Sequence, residues 1–130
     1  MTRYCLDSWA VLRWLEGGHP ASARVDEVLA ERPLMSWINV AEVFHITART
    51  AGSVIAHDVV RDLRAMLDLE LPSVDRILHA ATIKAHDAMS LADAFAVATA
   101  ADNDAILMTG DPEIIASKGS WQVEDLRRLG

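Results

Sequence analysis

The sequence contains a single cysteine, Cys5, among its 130 residues. One cysteine excludes an internal disulfide scaffold and a zinc site built from several thiolates. Long hydrophobic runs are missing too, since none approaches the ~18 residues that a membrane span requires. The first residues of the chain show no signal-peptide pattern. We therefore expect a cytoplasmic protein without a membrane partner.

Basic residues are in the minority, with 12 Lys and Arg against 19 Asp and Glu and a formal net charge of −7. This balance argues against non-specific coating of DNA, which requires a basic surface. The charge is uneven, because residues 1–65 hold 7 bases and 8 acids whereas residues 66–130 hold 5 and 11. A local basic groove in the first half stays compatible with a nucleic-acid partner.

The chain has enough apolar residues for one hydrophobic core, at 52% of the sequence. This fraction excludes intrinsic disorder, and the length fits one domain, which we expect to span residues 1–130. Short apolar runs alternate with segments of helical period. The runs lie at 4–6, 34–37, 69–71, 105–108 and 121–123, and the helical segments at 9–16, 21–31, 39–51, 54–67, 73–86 and 91–101.

This alternation predicts right-handed crossovers between parallel strands, with helices on both faces of the sheet. We expect an α/β fold of three layers, α/β/α, around a parallel sheet of about four or five strands. In such sheets, ligands bind beyond the carboxyl ends of the strands. The residues that follow each strand are therefore the first candidates for a functional site.

Acidic residues occupy these positions. Asp7 follows the first strand, Glu42 lies in the helix after the second, Asp93 begins the helix at 91–101, and Asp111 follows the fourth strand. Each acid also has a purely structural interpretation. Asn39-x-x-Glu42 and Ser90-x-x-Asp93 have the form of capping boxes, and Asp7 and Asp111 stand where a helix N-cap is expected.

A common edge of the sheet would bring the four carboxylates together. Like charges at short range raise one another's pKa and destabilise the fold unless a cation compensates them. Carboxylate oxygens without nearby Cys or His favour Mg²⁺ or Mn²⁺ over zinc. A divalent cation held in this way activates water for attack on phosphorus, so the pattern indicates metal-dependent phosphodiester hydrolysis.

Four segments also resemble a known family. They are Leu6-Asp7-Ser8, Asn39-Val40-Ala41-Glu42-Val43, the stretch 90–100 that begins Ser90-Leu91-Ala92-Asp93, and Ile106-Leu107-Met108-Thr109-Gly110-Asp111. In this order, over essentially the whole chain, they resemble the PIN-domain ribonucleases, and within them the VapC-type toxins of bacterial type II toxin–antitoxin pairs. One position departs from the family, which often has a basic or larger polar residue where this chain has Gly110.

The resemblance implies a Mg²⁺- or Mn²⁺-dependent endoribonuclease. Its catalytic acids would be Asp7, Glu42, Asp93 and Asp111. Asp7, Asp93 and Asp111 would bind the metal, and Glu42 would bind it directly or through water, or orient the nucleophile. Ser8 and Thr109 would form hydrogen bonds to the carboxylates. The family also implies three partners: an RNA substrate, a second copy of the chain in a homodimer, and a small cognate antitoxin.

Two other functions remain open. A receiver-like phospho-acceptor domain has a similar size, but it needs two adjacent acids after the first strand and a lysine near the last. Here Asp7 stands alone, and neither of the two lysines, Lys84 and Lys118, clearly follows a strand. A catalytically inactive PIN-like domain that only binds a partner is the other alternative. Mg²⁺-dependent cleavage of RNA would discriminate between them.

Overall fold

The computed structural model describes residues 2–128, so the predicted domain limits at 1 and 130 lie outside the described residues. Within this range the chain forms five strands and seven helices. The strands are β1 (Tyr4–Leu6), β2 (Leu34–Ser36), β3 (Asp68–Glu70), β4 (Ile106–Thr109) and β5 (Val123–Asp125). The helices are α1 (Ser8–Glu16), α2 (Ala21–Leu29), α3 (Trp37–Ala51), α4 (Ser53–Met66), α5 (Val74–His86), α6 (Leu91–Asp102) and α7 (Pro112–Ile115).

The five strands form one parallel sheet in the order β3-β2-β1-β4-β5. Successive strand residues point to opposite faces, so Cys5 belongs to one buried cluster and Leu6 to the other. Residues of α5 and α6 pack on the Cys5 face, and residues of α1, α2, α3 and α4 pack on the Leu6 face. The predicted three-layer α/β/α fold with a parallel sheet is confirmed.

Helix α6 is the central element of the Cys5 face. All eight residues from Asp93 to Ala100 are buried, as its apolar composition predicts. Four of these eight are alanines, Ala94, Ala96, Ala98 and Ala100, whose small side chains allow close approach of the backbone to the sheet. The N-terminus of α6, with Asp93 in its first turn, is thereby held near the carboxyl ends of the strands.

The start of α3 differs from the prediction. Ser36 is the N-cap and accepts a hydrogen bond from the backbone N–H of Ile38, so the helix begins at Trp37. The proposed capping box of Asn39 and Glu42 is therefore wrong: Asn39 already lies inside the first turn, and its side chain bonds elsewhere. The last strand is also displaced, because β5 begins at Val123, where 121–123 was expected.

Two of the larger apolar side chains of α5 do not belong to the face that packs. Ala80 and Ile83 face the core, while Ile77 and Leu78 are 44% and 60% exposed.

Among the helices of residues 2–128, none combines the length and hydrophobicity needed for a membrane span.

Candidate metal centre

The strand order reverses between β1 and β4. From β1 the chain adds β2 and β3 on one side, and it then returns to place β4 and β5 on the other. Ligands of open parallel sheets bind at such a reversal, beyond the carboxyl ends of the two strands. Asp7 directly follows β1, and Asp111 lies two residues beyond β4. Both carboxylates therefore flank the position where this topology opens a crevice.

Asp7 is the most deeply buried of the four predicted acids, at 1% exposure. Its Oδ1 accepts a hydrogen bond of 2.8 Å from the backbone N–H of Ala10, so it is also the N-cap of α1. Its Oδ2 accepts a hydrogen bond from the Thr109 hydroxyl. Burial, opposed by these hydrogen bonds and reinforced by the charges of Asp93 and Asp111, raises the pKa of Asp7 to about 7.

Thr109 connects the two strands at the reversal. Its buried hydroxyl donates to Asp7 and accepts a hydrogen bond of 2.9 Å from the backbone N–H of Asp111. One side chain thus orients the carboxylate after β1 and the backbone after β4. Asp111 in turn caps α7, since its Oδ1 accepts a hydrogen bond of 2.8 Å from the N–H of Glu113.

Three carboxylates form a cluster beside Asp7. Asp93, Asp111 and Glu113 each have an oxygen within 4.8 Å of the other two. Burial raises the pKa of Asp93 to about 6, with further contributions from the charges of Asp111 and Glu42. The Ser90 hydroxyl and the Asp93 carboxylate form the predicted capping box, which fixes the first turn of α6.

The sequence did not identify Glu113 as a site residue. It follows Asp111 and Pro112 in a segment interpreted as a helix start, where acids are common because they interact favourably with the helix dipole. The signal that could have found it is its place in the first turn of the helix that Asp111 caps, where an oxygen of its carboxylate lies within 4.8 Å of oxygens of Asp111 and Asp93.

Glu42 lies at the margin of this group. It is half-buried in the second turn of α3, and it accepts a hydrogen bond from the Ser8 hydroxyl. Its charge raises the pKa of Asp93, which places the two carboxylates within electrostatic reach of each other. Neither Glu42 nor Asp7 belongs to the three-carboxylate cluster, and the roles of all four predicted acids as metal ligands or catalysts stay predictions.

A surface cleft of about 540 Å³ borders the cluster at Glu113. Its lining includes His86, Pro112 and Lys118. A larger cavity of about 690 Å³ lies between α2 and β5, but it shares no residue with the acidic site. The chemistry of the carboxylates, rather than cavity size, identifies the candidate site.

The donor set fits a hard divalent cation. The cluster offers carboxylate oxygens alone, without a thiolate or imidazole, which is the ligand type that Mg²⁺ and Mn²⁺ prefer. The raised pKa of Asp7 and of Asp93 shows that the described groups leave their negative charge uncompensated. A cation at this position would supply the missing compensation.

Comparison with known protein families finds the PIN domain, whose family model matches residues 4–118. The chain belongs to the PIN-domain family. This confirms the resemblance seen in the four sequence segments, and membership supports a nuclease type of activity. A comparison with curated proteins finds no matching sequence.

A comparison with solved structures finds several of similar fold. The DNA-bound VapBC structure from Salmonella typhimurium aligns with a TM-score of 0.77 at 15% identity, covering 97% of this chain and 99% of that one. The VapBC-1 structure from nontypeable Haemophilus influenzae aligns with a TM-score of 0.72 at 18% identity, covering 98% of this chain and 100% of that one. The sarcin-ricin loop cleaving toxin VapC20 from Mycobacterium tuberculosis aligns with a TM-score of 0.72 at 15% identity, covering 87% of this chain and 93% of that one. At these identities the likeness concerns the fold.

The topology also decides against the receiver-like alternative. Receiver domains have the strand order 2-1-3-4-5, with the reversal between β1 and β3. This PIN domain has the order 3-2-1-4-5, with the reversal between β1 and β4. The inactive, partner-binding alternative has the same fold as the enzyme and is separated from it only by activity.

Gly110 departs from the family pattern for a steric reason. It is buried between Thr109 and Asp111, and a Cβ atom at this position would lie 2.3 Å from the indole ring of Trp9. The guanidinium of Arg13 lies over the same indole ring, 4.9 Å from its centroid. The ring of Trp9 therefore fills the space that a side chain at 110 would need.

We expect Gly110→Ala to destabilise the protein by about 1–3 kcal/mol, because the added methyl group must displace the Trp9 ring. In a Trp9→Ala background the same substitution should cost almost nothing. Urea unfolding of the four variants measures this coupling. Gly119→Ala is the control, since its Cβ would meet Trp121 and its cost should not depend on Trp9. An equal cost of Gly110→Ala in both backgrounds contradicts the steric explanation.

The raised pKa values predict that the metal-free protein loses stability as the pH rises. The folded state binds protons at Asp7 and Asp93 more tightly than the unfolded state, with pKa values of about 7 and about 6 against an ordinary value of 3.8. This contribution is fully present below about pH 4 and is lost as the pH rises through the two folded-state values. Between about pH 5 and pH 8 in EDTA, we expect the free energy of unfolding to fall, and millimolar Mg²⁺ to restore it at pH 8.

Asp7→Asn removes the larger part of this penalty, since the amide keeps an acceptor for Ala10 and has no charge to desolvate. We expect its Tm in EDTA at pH 8 to exceed the wild-type value by roughly 5 °C. Asp104→Asn is the matched control, because Asp104 is exposed and precedes the opposite end of β4. A lower Tm for Asp7→Asn than for the control would mean that Asp7 acts mainly as a helix cap.

Proposed function

We propose that this PIN domain is a Mg²⁺- or Mn²⁺-dependent endoribonuclease of the cytoplasm and the toxin of a toxin–antitoxin pair. The observation that carries the proposal is the meeting of Asp7, Asp93, Asp111 and Glu113 at the strand reversal of a PIN fold. The toxin role is supported by the similar solved structures, two of which are VapBC structures and one a toxin that cleaves the sarcin-ricin loop.

Asp7, Asp93 and Asp111 would hold the cation, as the sequence predicts, and Glu113 would join them. When bound, a divalent cation lowers the pKa of coordinated water and neutralises charge that develops on the phosphate. Its binding requires the ionised carboxylates, so we expect affinity to increase as the pH rises through the range in which Asp93 and Asp7 lose their protons.

The side chains around the cation would orient the reaction. Glu42, held by the Ser8 hydroxyl, would accept a proton from the attacking water. The water oxygen would bond to phosphorus as the bond from phosphorus to a ribose oxygen breaks. The departing oxygen would take a proton from solvent, and Glu42 would release the proton that it accepted to solvent. Thr109 would keep the Asp7 carboxylate in place throughout, because its hydroxyl is also bound to the backbone after β4.

A homodimer is the second part of the proposal, and the outer face of α5 supports it. Val74, Ile77 and Leu78 are 70%, 44% and 60% exposed at helical spacing. The first turn of α5 carries Asp75 and its last turn Lys84 and His86. Two copies of α5 in antiparallel contact across a twofold axis would bury the apolar stripe and bring opposite charges together.

The cleavage experiment is direct. Purified protein incubated with total RNA should cleave it in Mg²⁺ or Mn²⁺, and EDTA should abolish the reaction. We expect Asp7→Asn and Asp93→Asn to lose at least about a hundredfold in rate, since each removes a ligand charge at the cation. Asp104→Asn should retain the wild-type rate.

Persistent cleavage in EDTA, or wild-type rates in both Asn variants, would contradict the metal-dependent assignment. No cleavage by folded protein that binds Mn²⁺ would instead favour the inactive, partner-binding alternative.

Light scattering coupled to size exclusion tests the dimer. We expect wild-type protein to elute as a dimer and Leu78→Glu as a monomer, because the substitution places a charge in the apolar contact. Val54→Glu is the control, since Val54 is 75% exposed and lies on α4, on the other face of the sheet. A monomeric wild type, or a dimeric Leu78→Glu, contradicts the proposed interface.

A further inference from the structure

Asn39 is a buried polar side chain that joins the two helices carrying Glu42 and Asp93. It is 1% exposed, and its Nδ2 donates a hydrogen bond of 3.0 Å to the backbone carbonyl of Ala92. Asn39 precedes Glu42 by three residues, which is about one turn of α3, and Ala92 is the residue before Asp93. The bond therefore links α3 to the first turn of α6 beside both carboxylates.

Stability alone does not account for an asparagine at this position. Its Oδ1 is buried and has no hydrogen-bond partner among the described residues. A buried polar atom left without a partner destabilises a fold. An apolar side chain of similar size would leave no such unpaired oxygen.

The link opposes a repulsion between the helices. The charge of Glu42 acts on Asp93, and the two carboxylates project from different helices near the same edge of the sheet. Other hydrogen bonds hold each acid to its own neighbourhood: Ser8 binds Glu42, and Ser90 binds Asp93. Asn39 is the side chain that ties the Glu42 helix directly to the backbone next to Asp93.

We infer that Asn39 is a positioning residue, which sets the separation of Glu42 and Asp93 and thereby the affinity of the site for a divalent cation. This inference rests on the proposed function, since it concerns the same cation. Groups that orient metal ligands typically contribute 10- to 100-fold in metal affinity. Asn39 touches neither the substrate nor the cation in this scheme.

Mn²⁺ titration followed by electron paramagnetic resonance tests the inference without RNA. We expect Asn39→Leu to weaken Mn²⁺ binding by about tenfold or more, while its Tm in EDTA equals or exceeds the wild-type value. Thr99→Val is the matched control. Thr99 is fully buried in α6, and its hydroxyl is the other buried side-chain atom without a partner in the described residues, yet it does not tie α6 to α3. Its Mn²⁺ affinity should be that of the wild type.

The outcomes separate the inference from the proposed function. If wild-type protein binds no Mn²⁺ at millimolar concentration, the proposed function fails and the inference fails with it. If wild type binds and Asn39→Leu binds within twofold of it, the inference alone fails. Equal weakening in Thr99→Val also contradicts it, because the effect would then follow from any loss of a buried polar group. Should Asn39→Leu not fold, Asn39→Ala carries the same expectation.

Discussion

The carboxylate of Asp7, buried at the end of β1, is the group on which the architecture of the site depends. A parallel sheet brings the carboxyl ends of its strands to one edge, and the reversal between β1 and β4 opens a crevice there. Asp7 lies at that reversal, where burial removes its carboxylate from water. Thr109, at the end of the adjacent strand, donates to it and at the same time accepts from the backbone of Asp111. The end of one strand thus orients the acids that follow both.

The structural and functional interpretations of these acids are compatible. Asp7 caps α1, Asp111 caps α7, and Asp93 belongs to the capping box of α6. A cap holds a carboxylate in one orientation, because its oxygen is bound to a backbone N–H of the helix that it begins. Such fixed carboxylates make a cation site without further ordering of side chains. The same side chains therefore begin helices after the strands and place their negative charges close together.

The clustered carboxylates repel one another, and this repulsion destabilises the metal-free fold. Burial and mutual charge raise the pKa of Asp7 and Asp93, so the metal-free fold is least favoured where the acids are fully ionised. Hydrogen bonds donated to the carboxylates by the hydroxyls of Ser8 and Thr109 and by the backbone N–H of Ser90 oppose the repulsion locally. Asn39 opposes it between helices, at the expense of an unpaired oxygen in the core.

Local patterns in the sequence predict much of this. The alternation of apolar runs and helical periods determines the three layers and the parallel sheet, and the acids after the strands are visible because a strand end is a local feature. Helix starts at Ser90 and Asp111 are equally local. Position 39 shows where this reasoning fails, since Asn39 and Glu42 have the spacing of a capping box but Ser36 had already begun the helix.

What only the tertiary structure decided depends on distance between elements far apart in the chain. It brought Glu113 to Asp93 across the sheet edge, it placed the Trp9 ring against Gly110, and it directed Asn39 to the backbone of Ala92. It also left Ile77 and Leu78 of α5 facing outward, since Ala80 and Ile83 are the residues that this helix buries. Sequence periodicity identifies an apolar face, but the packing of the rest of the chain determines which face is covered.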